Sequence, residues 1–372
     1  MELSYWEYKT WLSNVDFTII GSGIVGLNCA LQLKEKYPAA KVLVLEKGML
    51  PQGASTKNAG FACFGSISEV LSDLRTHTKE DVADLVKKRW EGIQLSRKLL
   101  GDESIGFQQN GGHELFLKSS LNLFESCLGG MEAINKLLKP IFGEAPFIKK
   151  DNVFSFGNVE NQYITHKFEG QLDTGKLMDA LLQKVLKKGV HILNSVEVKH
   201  FEDVGNSVSV ATDFFSFETK KLLVATNGFA AKLLKKETIL PARAQVLVTK
   251  PIKNLKIKGT FHLDEGYYYF RNIDNRILLG GGRNLDFKAE ETTAFGQTEL
   301  IQNKLEQLLQ KVILPHQEVE IDQRWSGIMG VGKQKTPIVE RVSNNVMCGV
   351  RLGGMGVALG SLIGKELASL ID

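Results

Sequence analysis

Three glycines near the start of the chain have the spacing of a phosphate-binding turn. Gly21, Gly23 and Gly26 form the pattern G-x-G-x-x-G within GSGIVG. In this pattern the first glycine permits the turn, the second lets the backbone approach a pyrophosphate, and the third lets a helix pack closely on a strand. The amides at the helix start, at Ile24 and Val25, then face the phosphates. The spacing predicts a dinucleotide site, and glycines that only tighten a turn are the alternative.

An acidic residue occurs where the ribose of a dinucleotide is expected. Glu46 ends the apolar run KVLVLE, 25 residues after Gly21, and a carboxylate here accepts hydrogen bonds from the ribose diol. The strand VDFTII, the glycines, the helix LNCALQLKEK, the second strand and the acid occur in the order that a βαβ unit requires. This order supports dinucleotide binding more strongly than the glycines alone, with Glu46 and Lys47 at the adenosine half.

The next stretch, PQGASTKNAGFACFG, consists mainly of small residues around one lysine. A nicotinamide enzyme of this pattern continues its βαβ alternation here, and this chain does not. Small side chains let the backbone lie against a flat, extended group beyond the pyrophosphate. A surface loop is the alternative, because Gly, Ser and Asn are common turn residues. The predicted cofactor contacts are Ala54, Ser55, Thr56, Lys57, Asn58, Ala59, Gly60 and Phe61.

Taken together, these motifs resemble the D-amino acid oxidase superfamily of FAD-dependent oxidoreductases, in particular its glycine oxidase, sarcosine oxidase and gamma-glutamylputrescine oxidase branch. GASTKNAG is similar to the second FAD segment of the family, with Lys57 where arginine is usual. LLVATNGFA, RWSGIMG and GVRLGGMGVALG resemble later FAD segments of the family. The resemblance implies FAD and the further cofactor contacts Ala225, Thr226, Asn227, Gly228, Trp325, Gly327, Arg351, Gly353, Gly354, Met355, Gly356 and Val357, while the backbone near Val198 is predicted to meet the adenine.

The glycine-rich segment before the final helix also has a physical interpretation. A helix start collects unpaired amide donors and the positive end of the helix dipole. In the resembling enzymes this end points toward the pyrimidine side of the flavin. A tight packing turn is the alternative. No cysteine occurs in RWSGIMG, where sarcosine oxidase attaches its flavin, so the resemblance predicts non-covalent FAD.

The substrate side is predicted from the strand GYYYFR. A period of two places Tyr267, Tyr269 and Arg271 on one face, and the resemblance puts Tyr267 at a substrate carboxylate. Met329 stands where glycine oxidase has a carboxylate-binding arginine, which argues against a small free amino acid as substrate. Arg351 and Arg283 are cations that remain for a carboxylate, although Arg351 is also a candidate structural partner of the flavin. The predicted catalytic set is Tyr267, Tyr269, Met329 and Arg351.

The motif positions predict an α/β fold with two interleaved domains. FAD motifs occur near residues 21, 55, 226 and 354, and the intervening pieces lack them. The Rossmann-type FAD-binding domain is expected to comprise residues 1–80, 160–240 and 326–372. Residues 81–159 and 241–325 are expected to form an α+β substrate domain on a mostly antiparallel sheet.

Composition limits the other classes of function. The chain has 372 residues, 43% of them hydrophobic, and a net charge of +4 spread over short clusters such as VKKR, which are typical of solvated helix faces. No nucleic-acid-binding stripe, metal-ligand spacing or disulfide framework is present, and the four separated cysteines fit a reducing cytoplasm. We predict no signal peptide, because the amino terminus is acidic, and no membrane span, because glycines and Gln32 interrupt residues 17–33.

The resulting hypothesis is an FAD-dependent oxidoreductase that oxidises the C–N bond of an amine or amino acid by hydride transfer to the flavin N5. The loss of arginine at Met329 favours a secondary amine or a bulky N-substituted compound over glycine. A flavin dehydrogenase of a non-amine substrate and a flavin subunit of a multisubunit or tRNA-modifying enzyme are the alternatives. The sequence leaves open the substrate, the oligomeric state, and whether oxygen or another acceptor takes the electrons.

Overall fold

Strands from separate parts of the chain form two eight-stranded sheets and one small two-stranded sheet in the computed structural model, which describes residues 2–236 and 238–371. The strands are β1 Val15–Ile20, β2 Val42–Leu45, β3 Phe61–Ala62, β4 Gly112–Glu114, β5 Phe147–Asp151, β6 Gln162–His166, β7 Gly170–Gln171, β8 His191–Leu193, β9 Val198–Asp203, β10 Val208–Thr212, β11 Ser216–Val224, β12 Leu240–Thr249, β13 Thr260–Leu263, β14 Tyr268–Ile273, β15 Arg276–Gly281, β16 Ile321–Val331, β17 Ile338–Arg341 and β18 Val346–Val350. The helices are α1 Tyr5–Glu7, α2 Ile24–Lys36, α3 Ile67–Asp73, α4 Lys79–Leu100, α5 Leu121–Phe142, α6 Thr174–Lys187, α7 Ala230–Leu234, α8 Glu299–Leu308 and α9 Gly356–Ser369.

The first sheet has the order β17-β18-β11-β1-β2-β8, with the β9–β10 hairpin attached to β11. Its central strands are parallel and apolar, and Ile20 pairs with both Leu45 and Val224. The carboxyl ends of β1, β2 and β11 therefore lie at one edge of the sheet. Ligands of open parallel sheets bind at this edge, and the segments that begin at Gly21, Glu46 and Ala225 start there.

The second sheet has the order β16-β12-β15-β14-β13-β4-β6-β5, and its pairs are antiparallel except for β13 with β4. Its outer face carries Tyr268 and Phe270, which are buried in an aromatic and aliphatic core. The opposite face presents Tyr269 toward the first sheet. The fold is therefore an α/β fold with a Rossmann-type part and a mostly antiparallel sheet, as the sequence predicts.

Helices α2, α4 and α9 pack closely through glycines. A Cβ at Gly92 of α4 would lie 2.0 Å from the Ala358 oxygen of α9, and a Cβ at Gly360 would lie 2.6 Å from the Ile24 Cγ2. Glycines at these contacts let the helix axes approach, which any larger side chain prevents. The packing sets the start of α9 beside the start of α2. Both helix amino termini consequently lie at the same end of the first sheet.

The division into an FAD-binding and a substrate domain stays a prediction. Two elements pack against the domain to which they were not assigned. Strand β6, predicted in the FAD-binding domain, pairs with β4 and β5 of the second sheet. Helix α4, predicted mostly in the substrate domain, packs on α9. Within residues 2–236 and 238–371, no helix is long and apolar enough to cross a membrane.

Candidate active site

A cavity of about 470 Å³ lies between the carboxyl edge of the first sheet and the inner face of the second. Four backbone segments, residues 21–26, 53–60, 225–228 and 353–357, contribute to one side, which we call the cofactor wall. Side chains of the second sheet and its loops form the opposite side, which we call the substrate wall: His262, Tyr267, Tyr269, Arg283 and Met329.

The turn after β1 requires glycines because of a left-handed backbone at one position and close atomic contacts at others. Gly21 has a positive φ of 102°, and a Cβ on it would lie 2.9 Å from the Ala225 oxygen. A Cβ on Gly26 would lie 1.9 Å from the Gly21 oxygen, so the predicted close contact between helix and strand is present. A Cβ on Gly23 would point into the cavity side and meet the Ser55 Oγ at 2.7 Å. The turn thus exposes backbone where a phosphate group is predicted.

Glu46 ties the end of β2 to the glycine turn. Its Oε2 accepts hydrogen bonds from the Ser22 backbone amide at 3.0 Å and the Ser22 hydroxyl at 2.9 Å, and its Oε1 accepts from the Gly48 amide at 3.0 Å. A carboxylate has about four acceptor positions, so these three bonds leave one for a ribose hydroxyl. Glu46 therefore has a structural role in addition to the predicted one.

The segment of small residues is held by its own side chains. Asn58 donates to the carbonyl oxygens of Ala54 and Ser55, and its Oδ1 accepts from the Gly60 amide at 2.8 Å. The Ser55 hydroxyl accepts from the Ile24 amide at 3.0 Å, which joins this segment to the start of α2. The segment is thus a built part of the cavity and not an unattached surface loop.

The second sheet is also fastened to this segment. The Trp325 indole donates to the Lys57 carbonyl at 3.0 Å, and Arg271 donates to the carbonyl oxygens of Gly60 at 3.1 Å and Leu172 at 2.6 Å. These bonds fix the distance between the two walls. Arg271 lies on the predicted face of its strand, but its guanidinium is engaged in these hydrogen bonds to backbone carbonyls.

Three non-glycine residues that line the cavity, Asn227, Glu265 and Arg351, have a left-handed backbone. Asn227 has a φ of 45° and Arg351 a φ of 63°, a region that is uncommon for such residues and concentrated at functional sites. The Asn227 Oδ1 accepts from the Leu352 amide at 3.1 Å, and the Gly353 amide donates to the Gly330 oxygen at 2.9 Å. The turns after β11 and β18 are thereby locked together beneath the start of α9.

The substrate wall is made of a row of side chains across neighbouring strands. Tyr269 pairs directly with His262, and His262 pairs directly with Glu114, so the three side chains share the inner face. Tyr269 is enclosed, and burial raises the pKa of its phenol to about 12. Tyr267 lies at the mouth of the cavity with 41% of its surface exposed. Met329 extends from β16, and its sulfur approaches the start of α9 at Gly354.

Buried charges lie behind this row. The His262 Nε2 is 3.7 Å from the Glu169 Oε2, and the Glu169 Oε1 accepts from the Phe64 amide at 2.7 Å. Burial alone lowers the pKa of His262, but the nearby negative charge of Glu169 outweighs burial and raises that pKa. His262 and the Phe64 amide in turn hold the pKa of Glu169 below its usual value despite burial. Burial raises the pKa of Glu114 to about 7.

Most of the predicted site residues line one cavity. These are Gly23, Ile24, Val25, Ala54, Ser55, Lys57, Asn58, Ala59, Phe61, Ala225, Asn227, Tyr267, Tyr269, Gly327, Met329, Arg351, Gly353, Gly354, Met355, Gly356 and Val357. Gly21, Gly26, Glu46, Lys47, Thr56, Gly60, Val198, Thr226, Gly228 and Trp325 lie outside that lining. Of these, Lys47 places its ammonium 3.4 Å from the centre of the Phe229 ring, and Val198 is buried in β9.

Sequence reasoning missed several lining residues, of which Arg89 is the clearest. The interpretation of VKKR as a solvated helix face is wrong for this residue, which is 4% exposed and donates to the Phe64 carbonyl at 2.7 Å. Arg89 lies three positions before Gly92, on the face of α4 that packs against α9. His262 was missed as well, and its only signal was its place in an alternating strand next to Tyr269.

The residues of the cofactor wall fit a flavin dinucleotide. Gly353 and Gly356 line the cavity, and a Cβ on either would project into open space, which leaves room for a flat group at the start of α9. The Thr226 hydroxyl and the Arg351 Nε are buried without a hydrogen-bond partner among the residues that the structure describes. Free donors and an uncrowded glycine surface are what a ring system with phosphates and carbonyl oxygens requires.

Comparison with known proteins agrees with this fit. Residues 16–370 match the family described as FAD dependent oxidoreductase. A probable oxidoreductase OrdL from Haemophilus influenzae is 25% identical over 97% of this chain and 84% of that protein. Glycine oxidase from Bacillus cereus has a TM-score of 0.78 at 17% identity, covering 96% of this chain and 94% of that one. L-Proline dehydrogenase from P. horikoshii has a TM-score of 0.75 at 19% identity, covering 96% and 93%. A match over almost the whole length shows that the chain belongs to the FAD dependent oxidoreductases of the D-amino acid oxidase type.

Proposed function

We propose that this FAD-dependent enzyme oxidises the C–N bond of an amine or amino acid. The supporting observation is the row of Tyr269 and His262 across the inner sheet face, opposite the glycine-rich start of α9. Glycine oxidase and L-proline dehydrogenase, which share the fold, are named for amino acid substrates. Bound FAD supplies the acceptor for the hydride that leaves the carbon next to nitrogen.

The protein residues mainly orient the substrate and exclude water. Tyr269 and Met329 bound the interior of the cavity, and both are less exposed than Tyr267 at the mouth. Burial raises the pKa of the Tyr269 phenol to about 12, so the phenol stays protonated at neutral pH and is available to donate a hydrogen bond. A positioned, partly dry site raises the rate by fixing the reacting carbon and by limiting solvent.

Non-covalent FAD is part of the same proposal. Cys63 is the cavity cysteine within the described residues, and its sulfur lies 3.6 Å from the Met355 sulfur. Burial and nearby carboxylates raise the pKa of the Cys63 thiol well above its ordinary value. A protonated thiol is a poor nucleophile, which supports release of FAD by acid or heat. We also propose a cytoplasmic location, which fits four buried free cysteines.

Anaerobic reduction tests the reaction. Purified holoprotein is mixed with a panel of amines, N-substituted amino acids and free amino acids, and bleaching of the flavin band is recorded. We expect secondary or N-substituted compounds to reduce the flavin faster than glycine. Failure of every amino compound, with reduction by an alcohol or a hydroxy acid, contradicts the proposal. Peroxide formation in air then distinguishes oxygen from another electron acceptor.

A further inference from the structure

One titratable side chain of the substrate wall, His262, connects the cavity with buried charges behind the sheet. It lies on β13, directly between Tyr269 of β14 and Glu114 of β4 on the inner face. Its ring centre is 5.3 Å from that of Phe61, and both residues line the cavity. Only 7% of the His262 side chain is accessible. The imidazole is therefore a buried group that ends at the cavity.

The two ring nitrogens of His262 have different surroundings. The Nε2 atom is buried, makes no hydrogen bond within residues 2–236 and 238–371, and lies 3.7 Å from the Glu169 Oε2. The Nδ1 atom also lacks a hydrogen-bond partner in those ranges, but it is not enclosed by protein. A carboxylate beside one ring nitrogen favours the tautomer that carries the proton there. The Nδ1 atom therefore keeps its lone pair and offers it to the cavity.

Glu169 is held firmly beside this imidazole. It is buried, and its Oε1 accepts from the Phe64 amide at 2.7 Å and the Gly65 amide at 3.3 Å. A Cβ on Gly112 would lie 1.7 Å from the Glu169 Oε2, so the backbone of β4 lies directly against the carboxylate. A fixed, buried carboxylate orients a histidine and stabilises the imidazolium that forms when the histidine takes a proton.

The other titratable groups around His262 come from three elements. Glu114 of β4 and Glu69 of α3 add negative charge and raise the pKa of His262 further. His113 of β4 and His166 of β6 are buried, and burial lowers the pKa of each to about 4. Both of these histidines are therefore neutral at pH 7 and do not repel a proton on His262. The charges around the imidazole thus favour proton uptake.

The remaining titratable side chains of the cavity are less suited to take a proton from an amine. Lysine, arginine and tyrosine are already protonated at neutral pH, and burial raises the pKa of Tyr269 further, to about 12. Burial also raises the pKa of the Cys63 thiol well above its ordinary value. Glu265 is exposed, and Glu69 accepts from the Ser66 amide at 3.0 Å. The ordinary pKa of a glutamate is about 4.3, whereas that of histidine, about 6.5, is close to neutral pH, as a general base requires.

We propose that His262 is the catalytic base that takes a proton from the ammonium group of the substrate, with Glu169 as its positioning residue. This inference rests on the proposed function. An N–H bond of the ammonium breaks, an N–H bond forms at the His262 Nδ1, and the electron pair stays on the substrate nitrogen. The step is a proton transfer and changes no oxidation state. It is needed because only a neutral amine has the electron pair that forms the C=N bond as the hydride leaves.

The pH dependence of anaerobic flavin reduction tests the base in the FAD-loaded protein. With the amine that reduces the wild type fastest, His262→Gln is expected to lower the second-order rate constant of reduction near pH 7.5 about a hundredfold, as loss of a general base does. The deficit should disappear as pH approaches the pKa of the free substrate ammonium, because the neutral amine then enters from solution. His77→Gln, at an exposed histidine outside the cavity lining, should match the wild type. A deficit that stays constant up to that pH overturns the inference.

Glu169→Gln tests the positioning residue and does not depend on a change at His262. It removes the charge beside the Nε2 atom but keeps the size of the side chain, so the pKa of His262 should fall. We expect the rise of the reduction rate with pH to move to lower pH in this variant, with a smaller loss of rate than in His262→Gln. A rise at the wild-type pH means that Glu169 does not act through His262.

Proton transfer is also measured without flavin reduction, using tert-butylamine, which has no hydrogen on the carbon next to nitrogen. Holoprotein labelled with ¹⁵N-histidine is titrated at a pH where free His262 is neutral, and the ring signals that His262→Gln lacks report its protonation. We expect tert-butylammonium to convert His262 to the imidazolium, and tetramethylammonium, which has no N–H, to leave it neutral. The same response to both ions, or no response to either, contradicts the inference. If no amine reduces the wild-type flavin, the proposed reaction fails, and this titration still decides whether His262 accepts the proton.

Discussion

The two walls of the cavity differ in whether backbone or side chains form their surface. The cofactor wall is made mostly of backbone, and its side chains are small or absent, as at Gly23 and Gly353. The substrate wall is made of large side chains on a sheet, among them Tyr269 and Arg283. A backbone surface requires particular residues at fixed spacing, whereas a side-chain surface depends on which strands become neighbours. We therefore expect the first wall to bind the shared cofactor and the second to bind the substrate of this protein.

The largest effect is expected at Gly23 of the cofactor wall. A Cβ there meets the Ser55 Oγ at 2.7 Å, so Gly23→Val displaces Ser55 and fills the approach of the pyrophosphate. We expect FAD affinity to fall at least about a hundredfold, equivalent to about 2.7 kcal/mol. Equilibrium dialysis with FAD measures it. Gly129→Val is the control, because Gly129 is exposed on α5 outside the cavity lining, and a Cβ there would meet no described atom within 4 Å; full FAD content in Gly23→Val refutes the assignment of this turn.

A smaller effect on the same wall is expected at Glu46. Glu46→Gln keeps the size of the side chain but removes its charge and one acceptor from the Ser22 and Gly48 contacts. Hydrogen bonds to charged groups contribute about 1.5 to 3 kcal/mol, so FAD affinity is expected to fall about tenfold to a hundredfold. Titration of the refolded apoprotein with FAD reports this value. FMN affinity serves as the comparison, because FMN lacks the adenosine half and should bind equally to both proteins.

The cofactor wall was largely predictable because its determinants are local. Gly21, Gly26 and Glu46 each follow from a strand end or a helix start, and a short window of sequence contains the whole pattern. The strand alternation in GYYYFR also placed Tyr267 and Tyr269 on one face and Tyr268 on the other, since a period of two is a local property. The fold class followed from the order of these local units.

The substrate wall was predictable only in part because its neighbours are distant in sequence. The same holds for Arg89 outside that wall: it lines the cavity where α4 packs on α9, and the contacting Gly92 and Ala358 are 266 residues apart in sequence, so no local pattern indicates that contact. His262 and Glu114 become neighbours only when β13 pairs with β4. Glu290 fixes the loop of Arg283 through Arg243 on another strand. Such pairings are set by tertiary packing, and a single sequence does not display them.

A positive charge added at Met329 tests whether this residue contacts the substrate or the cofactor. Met329 lines the cavity and is half-buried, so Met329→Arg introduces a guanidinium into the substrate wall. We expect small carboxylated substrates to bind about threefold to tenfold more tightly, because a typical hydrogen bond contributes about 0.5 to 1.5 kcal/mol net, with little change in FAD affinity. Flavin reduction by glycine and sarcosine measures the first quantity and FAD titration the second. Loss of FAD affinity with no gain for glycine means that Met329 belongs to the cofactor wall.

The smallest effect concerns the buried pair behind the substrate wall, His262 and Glu169. The pKa of His262 is raised, so its stabilisation is complete below its ordinary value of 6.5 and is lost as pH rises through the folded-state value. The pKa of Glu169 is lowered, so its stabilisation is complete above 4.5 and is lost as pH falls through the folded-state value. Both contributions are present together between about pH 4.5 and 6.5.

The variant His262→Asn isolates this pair. The difference in melting temperature between wild type and His262→Asn is expected to be largest near pH 5.5 and to narrow toward pH 9, because the wild-type imidazolium loses its proton there. His113 and His166 are buried with pKa values lowered to about 4, which lies below the range compared, so both stay neutral from pH 5.5 to 9. His77→Asn, at an exposed histidine, should show no such dependence. A difference that is constant from pH 5.5 to 9 means that His262 stabilises the substrate wall by packing and hydrogen bonding alone, without its charge.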